Sequence, residues 1–353
     1  MKFIHCADIH LGSRMDSRLP ADKALTRRAE VRKSFLSMLD YARQRDISLI
    51  VMAGDVFDGD TPAISDKEFF YDAVKAHADI DFLYLRGNHD SQGAYKNDSI
   101  ENLKTFSDSL THYDRGDVHF YGIELTAQNH TDFYDSLSLP ESGKNILILH
   151  GQTGSSQGEG LISLPLLRGK GIDYLALGHI HSFKTDNLDE RGIYAYSGCL
   201  EGRGFDETGE KGFLVVDTSD MRPEFVPCAA RTIHEIEVPL DDTHSVYEAL
   251  TAVRDKTALP KKDIVRVILT GETDYDTDTL VNDVLSQLTP NFFFASVKNK
   301  SSRRIDISLY KDEISLRGEF VRTVTQSPDY SDEEKRLILE TGLKALAGRE
   351  ITV

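Results

Sequence analysis

The chain has 353 residues with 40% apolar content, enough for one large and one smaller domain, each with a core of its own. No apolar run approaches the ~18 residues of a membrane-spanning helix. The formal net charge of −17 argues against a basic face that would hold nucleic acid unaided, since phosphate neutralisation supplies most non-specific affinity. The opening Met1-Lys2-Phe3-Ile4-His5-Cys6 brings in charge too early for a secretory leader, so a cytoplasmic location is expected. Cys6, Cys199 and Cys228 cannot all pair and form no Cys-x-x-Cys. They are expected to be reduced and partly buried.

In chain order, Phe3-Ile4 reads as a short buried strand followed by Asp8-Ile9-His10. Alternate residues leaving a strand point to the same side, so this carboxylate and imidazole can converge on one ion. Residues 27–44 carry apolar positions at helical spacing. The run 47–53 then leads to Gly54-Asp55-Val56-Phe57-Asp58, where glycine allows a tight turn and Asp55 sits at the strand end, placed to bridge two ions. Asp58 either supports a ligand from behind or caps the next segment. After a helical pattern over 66–78, the run 82–85 reaches Gly87-Asn88-His89-Asp90. The Asn88 carbonyl suits a hard divalent cation; His89 is free to face substrate, and Asp90 is a second candidate supporting carboxylate. The run 146–149 ends at His150-Gly151. The run 174–177 ends at Gly178-His179-Ile180-His181, whose imidazoles share one side. A last run covers 213–216.

These runs, about four to seven residues each and bounded by glycine or polar residues, predict strands buried on both faces. Their alternation with amphipathic helices predicts a layered α/β domain. Beyond 216 the pattern becomes α+β: a strand over 234–240, a helix over 245–257, a strand over 263–270, a helix over 278–288, and extended stretches over 292–297 and 304–309. A charged amphipathic helix over 332–347 follows, with Leu337, Leu339, Leu343 and Leu346 available for packing. Ser331 can cap it, with Asp332, Glu333 and Glu334 in the first turn. Pro223 and Pro227 interrupt the pattern within 217–232. The expected organisation is therefore an α/β domain carrying the motifs over 1–225, a smaller α+β domain over 226–311 and a helical tail over 312–353.

A lone Asp at a strand end is usually a turn former, and a lone His after an apolar run usually a hydrogen-bonded core residue. Five strand ends that each deliver Asp, Asn or His to one sheet edge are different, because crowded charges are costly unless paired or ligated. Seven ligands divide between two ions: Asp8, His10 and His181 for one, Asn88, His150 and His179 for the other, with Asp55 bridging. The nitrogen and oxygen mixture suits Mn²⁺, with Fe²⁺ or Zn²⁺ admissible. Two such ions ~3.5–4 Å apart serve phosphoester hydrolysis. No nucleophilic Ser or Cys is required. His89 is the candidate catalytic residue, stabilising charge or donating a proton to the leaving oxygen.

The five motifs in this order resemble the calcineurin-like metallophosphoesterase superfamily. The segments Ile4 to Gly12, Gly54-Asp55-Val56-Phe57-Asp58 and Gly87-Asn88-His89-Asp90 are more narrowly similar to SbcD-type DNA repair exonucleases, and the stretch from Tyr196 through Arg203 to Lys211 to their YhaO-like branch. That resemblance implies two packed sheets flanked by helices (α/β/β/α) followed by a smaller α+β cap. It implies Mn²⁺-dependent exonuclease and endonuclease cleavage of DNA, with the same seven ligands and His89 as the catalytic histidine. Asp58 stands where some archaeal and eukaryotic members carry a second active-site histidine. The implied partners are DNA, an SbcC-like SMC-type ATPase and a second copy of the chain; no membrane is implied. The helix over 332–347 either docks that ATPase or closes the chain's own core. A phosphodiesterase or phosphatase acting on a small or protein-bound phosphate is the alternative. Arg14, Arg18, Arg86, Arg203 and Lys211 are the basic groups near the motifs.

Overall fold

The computed structural model describes residues 1–15, 19–59, 61–90, 100–275, 277–310 and 312–348; Arg18 lies outside them. By its contacts the chain divides into residues 1–233 and 234–353. The first unit runs β1 (Lys2–Cys6), α1 (Ala21–Gln44), β2 (Leu49–Ala53), α2 (Ile64–Ala76), β3 (Asp81–Leu85), β4 (Leu103–Thr105), β5 (Thr111–Arg115) and β6 (Val118–Gly122). It continues with α3 (His130–Ser136), β7 (Lys144–His150), β8 (Gln152–Gly154), β9 (Leu161–Ser163), α4 (Leu164–Leu167) and β10 (Tyr174–Gly178). It closes with β11 (Lys184–Asn187), β12 (Ile193–Tyr196), β13 (Gly212–Asp217) and β14 (Pro223–Pro227).

Two six-stranded sheets result, ordered β14-β13-β1-β2-β3-β4 and β11-β12-β10-β7-β6-β5. The strands β1 to β4 are mutually parallel, as are β12, β10, β7 and β6; antiparallel strands close every edge but that of β4. Alternation along each strand sorts side chains between faces. Phe3, Leu49, Val51, Ile146, Ile148 and Tyr174 fill the core between the sheets. Ile4, Ile50, Met52 and Phe82 point outward against Val31, Phe35 and Leu39 of α1 and Phe70 and Val74 of α2. Leu147, Leu149, Leu175 and Leu177 pack outward against Phe133 and Tyr134 of α3 and Leu167 of α4. This is the four-layer α/β/β/α arrangement that the family resemblance implies, and it contains the layered α/β domain read from the residue pattern.

Inward side chains shrink toward the carboxyl ends of three strands: Phe3, Leu49 and Tyr174 give way to Ala7, Ala53 and Gly178. The sheets therefore close on one another at that edge. A β-carbon on Gly178 would lie 2.0 Å from the Ala53 carbonyl oxygen and 2.9 Å from the Ala7 β-carbon. The taper brings strand ends from both sheets within reach of a common point.

The second unit contains β15 (Ile233–Pro239), α5 (Val246–Lys256), β16 (Ile264–Thr270), β17 (Glu272–Thr273), α6 (Asp278–Leu288), β18 (Phe294–Asn299), β19 (Ser302–Arg303), α7 (Leu316–Gln326) and α8 (Asp332–Leu346). A sheet ordered β15-β16-β18 shares its core with α5 and α6 through Val238, Val265, Val267, Ala249, Val253, Leu280 and Val284. Helices α7 and α8 join through Val321, Val324 and Leu339. Ser331 and Glu334 form a reciprocal capping box at the start of α8: the Glu334 amide donates to Ser331 Oγ, and the Ser331 amide to Glu334 Oε2.

Several local expectations change. Residues 304–309 do not stay extended to their end, because Asp306 Oδ1 accepts bonds from the amide and hydroxyl of Ser308 and starts a 3₁₀ turn over Ile307–Tyr310. Helix α1 begins at Ala21, behind Pro20, whose fixed φ suits a helix start. Helix α7, absent from the sequence reading, is capped by Ser315, which accepts from the Gly318 amide. Pro223 and Pro227 bound an edge strand paired with β13, the sheet position that tolerates proline.

Candidate metal centre

The loops after β1 and β2 run side by side. The Asp8 amide donates to the Gly54 carbonyl at 3.0 Å, the His10 amide to that of Asp55 at 3.0 Å, and the Asp58 amide to that of Leu11 at 3.0 Å. Four residues of the motifs take positive φ although none is glycine: Asp8 (52°), His10 (51°), Asp55 (54°) and His179 (101°). Such backbone costs of order 1–3 kcal/mol each and persists where surroundings over-determine it. Gly54 has φ +97°, and a β-carbon there would lie 2.2 Å from His150 Nδ1. Glycine at this turn is what lets the His150 ring lie against it.

The structure brings together Asp8, His10, Asp55, Asn88, His150, His179 and His181, and their bonding fixes which atoms face inward. His10 donates from Nδ1 to Asp58 Oδ1 at 3.1 Å, and His181 from Nδ1 to Glu207 Oε1 at 2.7 Å, the shorter of the two contacts of that nitrogen, Arg203 Nη2 lying 3.1 Å away. Carboxylates only accept, so both rings present bare Nε2 lone pairs. Those two atoms face each other at 3.2 Å, with Asp8 Oδ1 3.8 Å from His181 Nε2 and Asp55 Oδ2 3.9 Å from His10 Nε2. Lone pairs so placed repel unless a cation or a proton lies between them. A second cluster repeats the pattern. His150 donates from Nδ1 to the Ala53 carbonyl at 2.9 Å, which turns its Nε2 onto Asn88 Oδ1 at 2.9 Å. His179 Nδ1 lies 3.1 Å from the same oxygen, and Asp55 Oδ2 lies 3.4 Å from His150 Nε2. Asp55 thus touches both clusters, and its other oxygen accepts the His89 amide at 2.8 Å.

The ionisation behaviour of this edge fits a divalent cation. Burial pushes the Asp8 carboxyl up, a cost that an adjacent cation offsets. Burial would lower His150, yet the Asp55 and Asp8 carboxylates outweigh it and hold the ring at a pKa of about 9. The same carboxylate field that retains this proton attracts a metal ion in its stead. Asp55 is held below the usual carboxylate range, against burial, by His150, His10 and the His89 amide. Glu207, also opposed by burial, is held at about 2 by His181 and Arg203.

His89 stands apart from the facing nitrogens. Its side chain is 44% exposed, Nδ1 lies 3.7 Å from Asp58 Oδ1, and its ring centre lies 5.0 Å from that of His10. Asp58 orients His10. Asp90 instead braces the loops, accepting from the amides of Val56, Phe57 and Gly87 at 3.2, 2.8 and 3.1 Å. Burial raises its pKa to about 6. Sequence reasoning had no signal for Glu207, which reaches the site from an irregular loop. Of the basic candidates, Arg86 is paired with Glu124 and Arg203 with Glu207 and Asp58. Lys211 is only 3% exposed and donates to the His181 carbonyl at 2.8 Å. Arg14 is exposed.

Residues 1–183 match the model of the calcineurin-like phosphoesterase family. Among curated proteins, the chain is similar to the DNA double-strand break repair protein Mre11 of Saccharolobus solfataricus, 23% identical and covering 96% of this chain and 94% of that one. The Mre11 protein of Sulfurisphaera tokodaii is 25% identical, over 96% of this chain and 92% of its own. Among solved structures, TT1561 of Thermus thermophilus superposes with a TM-score of 0.44 at 10% identity, over 64% of this chain and 98% of that one.

Proposed function

This chain belongs to the calcineurin-like phosphoesterase family, and on that premise we propose that it is a two-metal DNA nuclease, the SbcD-type subunit of a cytoplasmic DNA repair machine. The metal half of this reading is carried by one observation: His10 Nε2 and His181 Nε2 face each other at 3.2 Å while His10 Nδ1 faces Asp58 and His181 Nδ1 lies closer to Glu207, at 2.7 Å, than to Arg203 Nη2, at 3.1 Å. Asp8, His10 and His181 would hold one ion and Asn88, His150 and His179 the other, with Asp55 available to both. The mixed nitrogen and oxygen donors favour Mn²⁺, with Fe²⁺ or Zn²⁺ also compatible. When bound, the ions supply an activated water and stabilise charge on the phosphoryl oxygens.

The chain's own residues orient and protonate. Asp58 and the Ala53 carbonyl fix the tautomers of His10 and His150, as partners of ligating histidines do. The Asp8 carboxylate is held by the His179 amide at 3.0 and 3.1 Å. His89, outside the ligand set and beside the His10 ring, gives its proton to the leaving oxygen.

DNA as the substrate is supported by likeness to double-strand break repair proteins along nearly the whole chain. With Arg86, Arg203 and Lys211 already engaged and a net charge of −17, DNA affinity calls for help from a partner. An SMC-type ATPase fits that need. The α7–α8 unit leaves Leu316 and Leu337 exposed while Leu339 closes its own core, which supports it as the dock. The same charge favours a second reading, a phosphodiesterase or phosphatase for a small or protein-bound phosphate. No helix among the described residues is long and apolar enough to cross a membrane.

The deciding experiment is Mn²⁺-dependent hydrolysis of linear double-stranded DNA, single-stranded DNA and a small chromogenic phosphodiester. Cleavage of DNA with or without the ATPase supports the nuclease reading. Turnover of the small diester alone, under both conditions, supports the second.

A further inference from the structure

The carboxylates behind His10 and His181 are not independent, because a single guanidinium joins them. Arg203 Nη2 lies 2.9 Å and Nε 3.0 Å from Glu207 Oε1, and Nη1 lies 3.4 Å from Asp58 Oδ1. The Arg203 amide also donates to Glu207 Oε2 at 2.8 Å. Glu207 accepts the Nδ1 proton of His181, and Asp58 that of His10. The chain of contacts therefore runs His181–Glu207–Arg203–Asp58–His10 and returns to its start where the two Nε2 atoms face each other at 3.2 Å.

We propose that Arg203 and Glu207 are positioning residues of the metal centre, a bracket that fixes the tautomer and angle of both imidazoles assigned to the first ion. The inference rests on the metal-centre reading given above. It also reassigns Arg203. A guanidinium whose Nε, Nη1 and Nη2 already serve carboxylates, with Nη2 also 3.1 Å from His181 Nδ1, has little left for a substrate phosphate, although it lines a cleft of about 370 Å³ beside the site. Glu207 is placed firmly enough to act this way: it is 7% exposed and accepts from His181 Nδ1 and from both the side chain and the amide of Arg203. Its loop is anchored at Glu201, which pairs with the buried Arg27 of α1 at 2.8 Å and accepts from Ser34 Oγ at 2.6 Å. Outer partners of metal-bound histidines are worth about 10–100-fold in metal affinity, and that sets the size of effect to look for.

The test is calorimetric titration of chelator-stripped protein with Mn²⁺, using wild type, E207A, E207Q and R203M. Melting temperatures of the stripped proteins and long-range ¹H–¹⁵N spectra of the histidine rings accompany it. Wild type should bind two ions, with His181 in the Nδ1-protonated form. E207A should keep one ion at wild-type affinity, weaken the other about 10–100-fold, and lose the fixed His181 tautomer. E207Q, whose amide oxygen still accepts from Nδ1, should recover part of that affinity. R203M should weaken the same ion by a smaller factor. Wild-type binding of both ions by a folded E207A overturns the inference, as does loss of both ions together with a lower metal-free melting temperature. If E207A does not fold, R203M decides, and unchanged affinity there overturns the bracket. A wild type that binds no divalent ion removes the metal-centre reading itself, and the inference with it.

Discussion

The Tyr174 hydroxyl donates to His5 Nδ1 at 2.9 Å in the core between the two sheets, while His5 Nε2 donates to the Leu177 carbonyl at 3.2 Å. Both ring nitrogens are satisfied only by a neutral imidazole, and burial lowers the pKa of His5 from 6.5 to about 3. The unfolded chain therefore binds a proton below pH 6.5 that the folded protein refuses. Stability rises with pH across that window and is lost as pH falls through it. Between pH 7 and pH 5 this one group should cost the metal-free protein about 2 kcal/mol. Urea unfolding at the two pH values should show a smaller loss in His5→Gln than in wild type. Equal losses would count against the buried neutral ring.

Removing a ligand from the proposed first ion should be decisive for activity. Asp8→Ala and His181→Ala are expected to reduce Mn²⁺-dependent hydrolysis of a chromogenic phosphodiester to background. Chelation should do the same to wild type, with Mn²⁺ restoring wild type and neither variant. Turnover retained by either variant would remove that residue from the ligand set.

His89→Ala separates chemistry from metal binding. The His89 side chain is 44% exposed, neighbours Asp58 and the His10 ring and lies outside the proposed ligand set, so elemental analysis should find the same metal content as wild type. The turnover number should fall about 10²–10⁴-fold, the usual contribution of a positioned acid. Loss of metal from this variant would make His89 a ligand and leave the proton donor unassigned.

The sequence made legible what strand ends dictate. Asp8, Asp55, Asn88, His150, His179 and His181 each follow an apolar run that forms a central strand, and parallel strands carry their carboxyl ends to one edge. The reading failed where no periodic pattern exists. Glu207 comes from a loop 26 residues beyond His181, and spacing alone does not show that the loop folds back. Arg27 and Glu201 form a buried pair, although helical amphipathicity would place an arginine outside. Edge strand β11 is exposed at all four positions, so it lacks the apolar signature that revealed β1, β2, β7 and β10. Lys211 sits near the motifs in the chain, but its ammonium is used up inside the fold.

The small residues that let the sheets meet should matter as much as the ligands they bring together. Gly178 ends β10 opposite His150 in the register with β7. A β-carbon there would lie 2.0 Å from the Ala53 carbonyl oxygen and 2.8 Å from His150 Nδ1. The Ala53 carbonyl is also the acceptor that orients His150, so one methyl group strikes both partners of that bond. Gly178→Ala should destabilise the metal-free protein by about 1–3 kcal/mol, the usual cost of overpacking, and loosen the ion assigned to Asn88, His150 and His179. Thermal unfolding measures the first effect and Mn²⁺ titration the second. Gly116→Ala is the control for introducing a methyl group: a β-carbon there meets nothing within 4 Å, although its φ of +66° adds some backbone strain. It should lower stability without touching metal affinity. Should Gly178→Ala behave like that control, close approach of the sheets at this edge would not be what sets the metal centre.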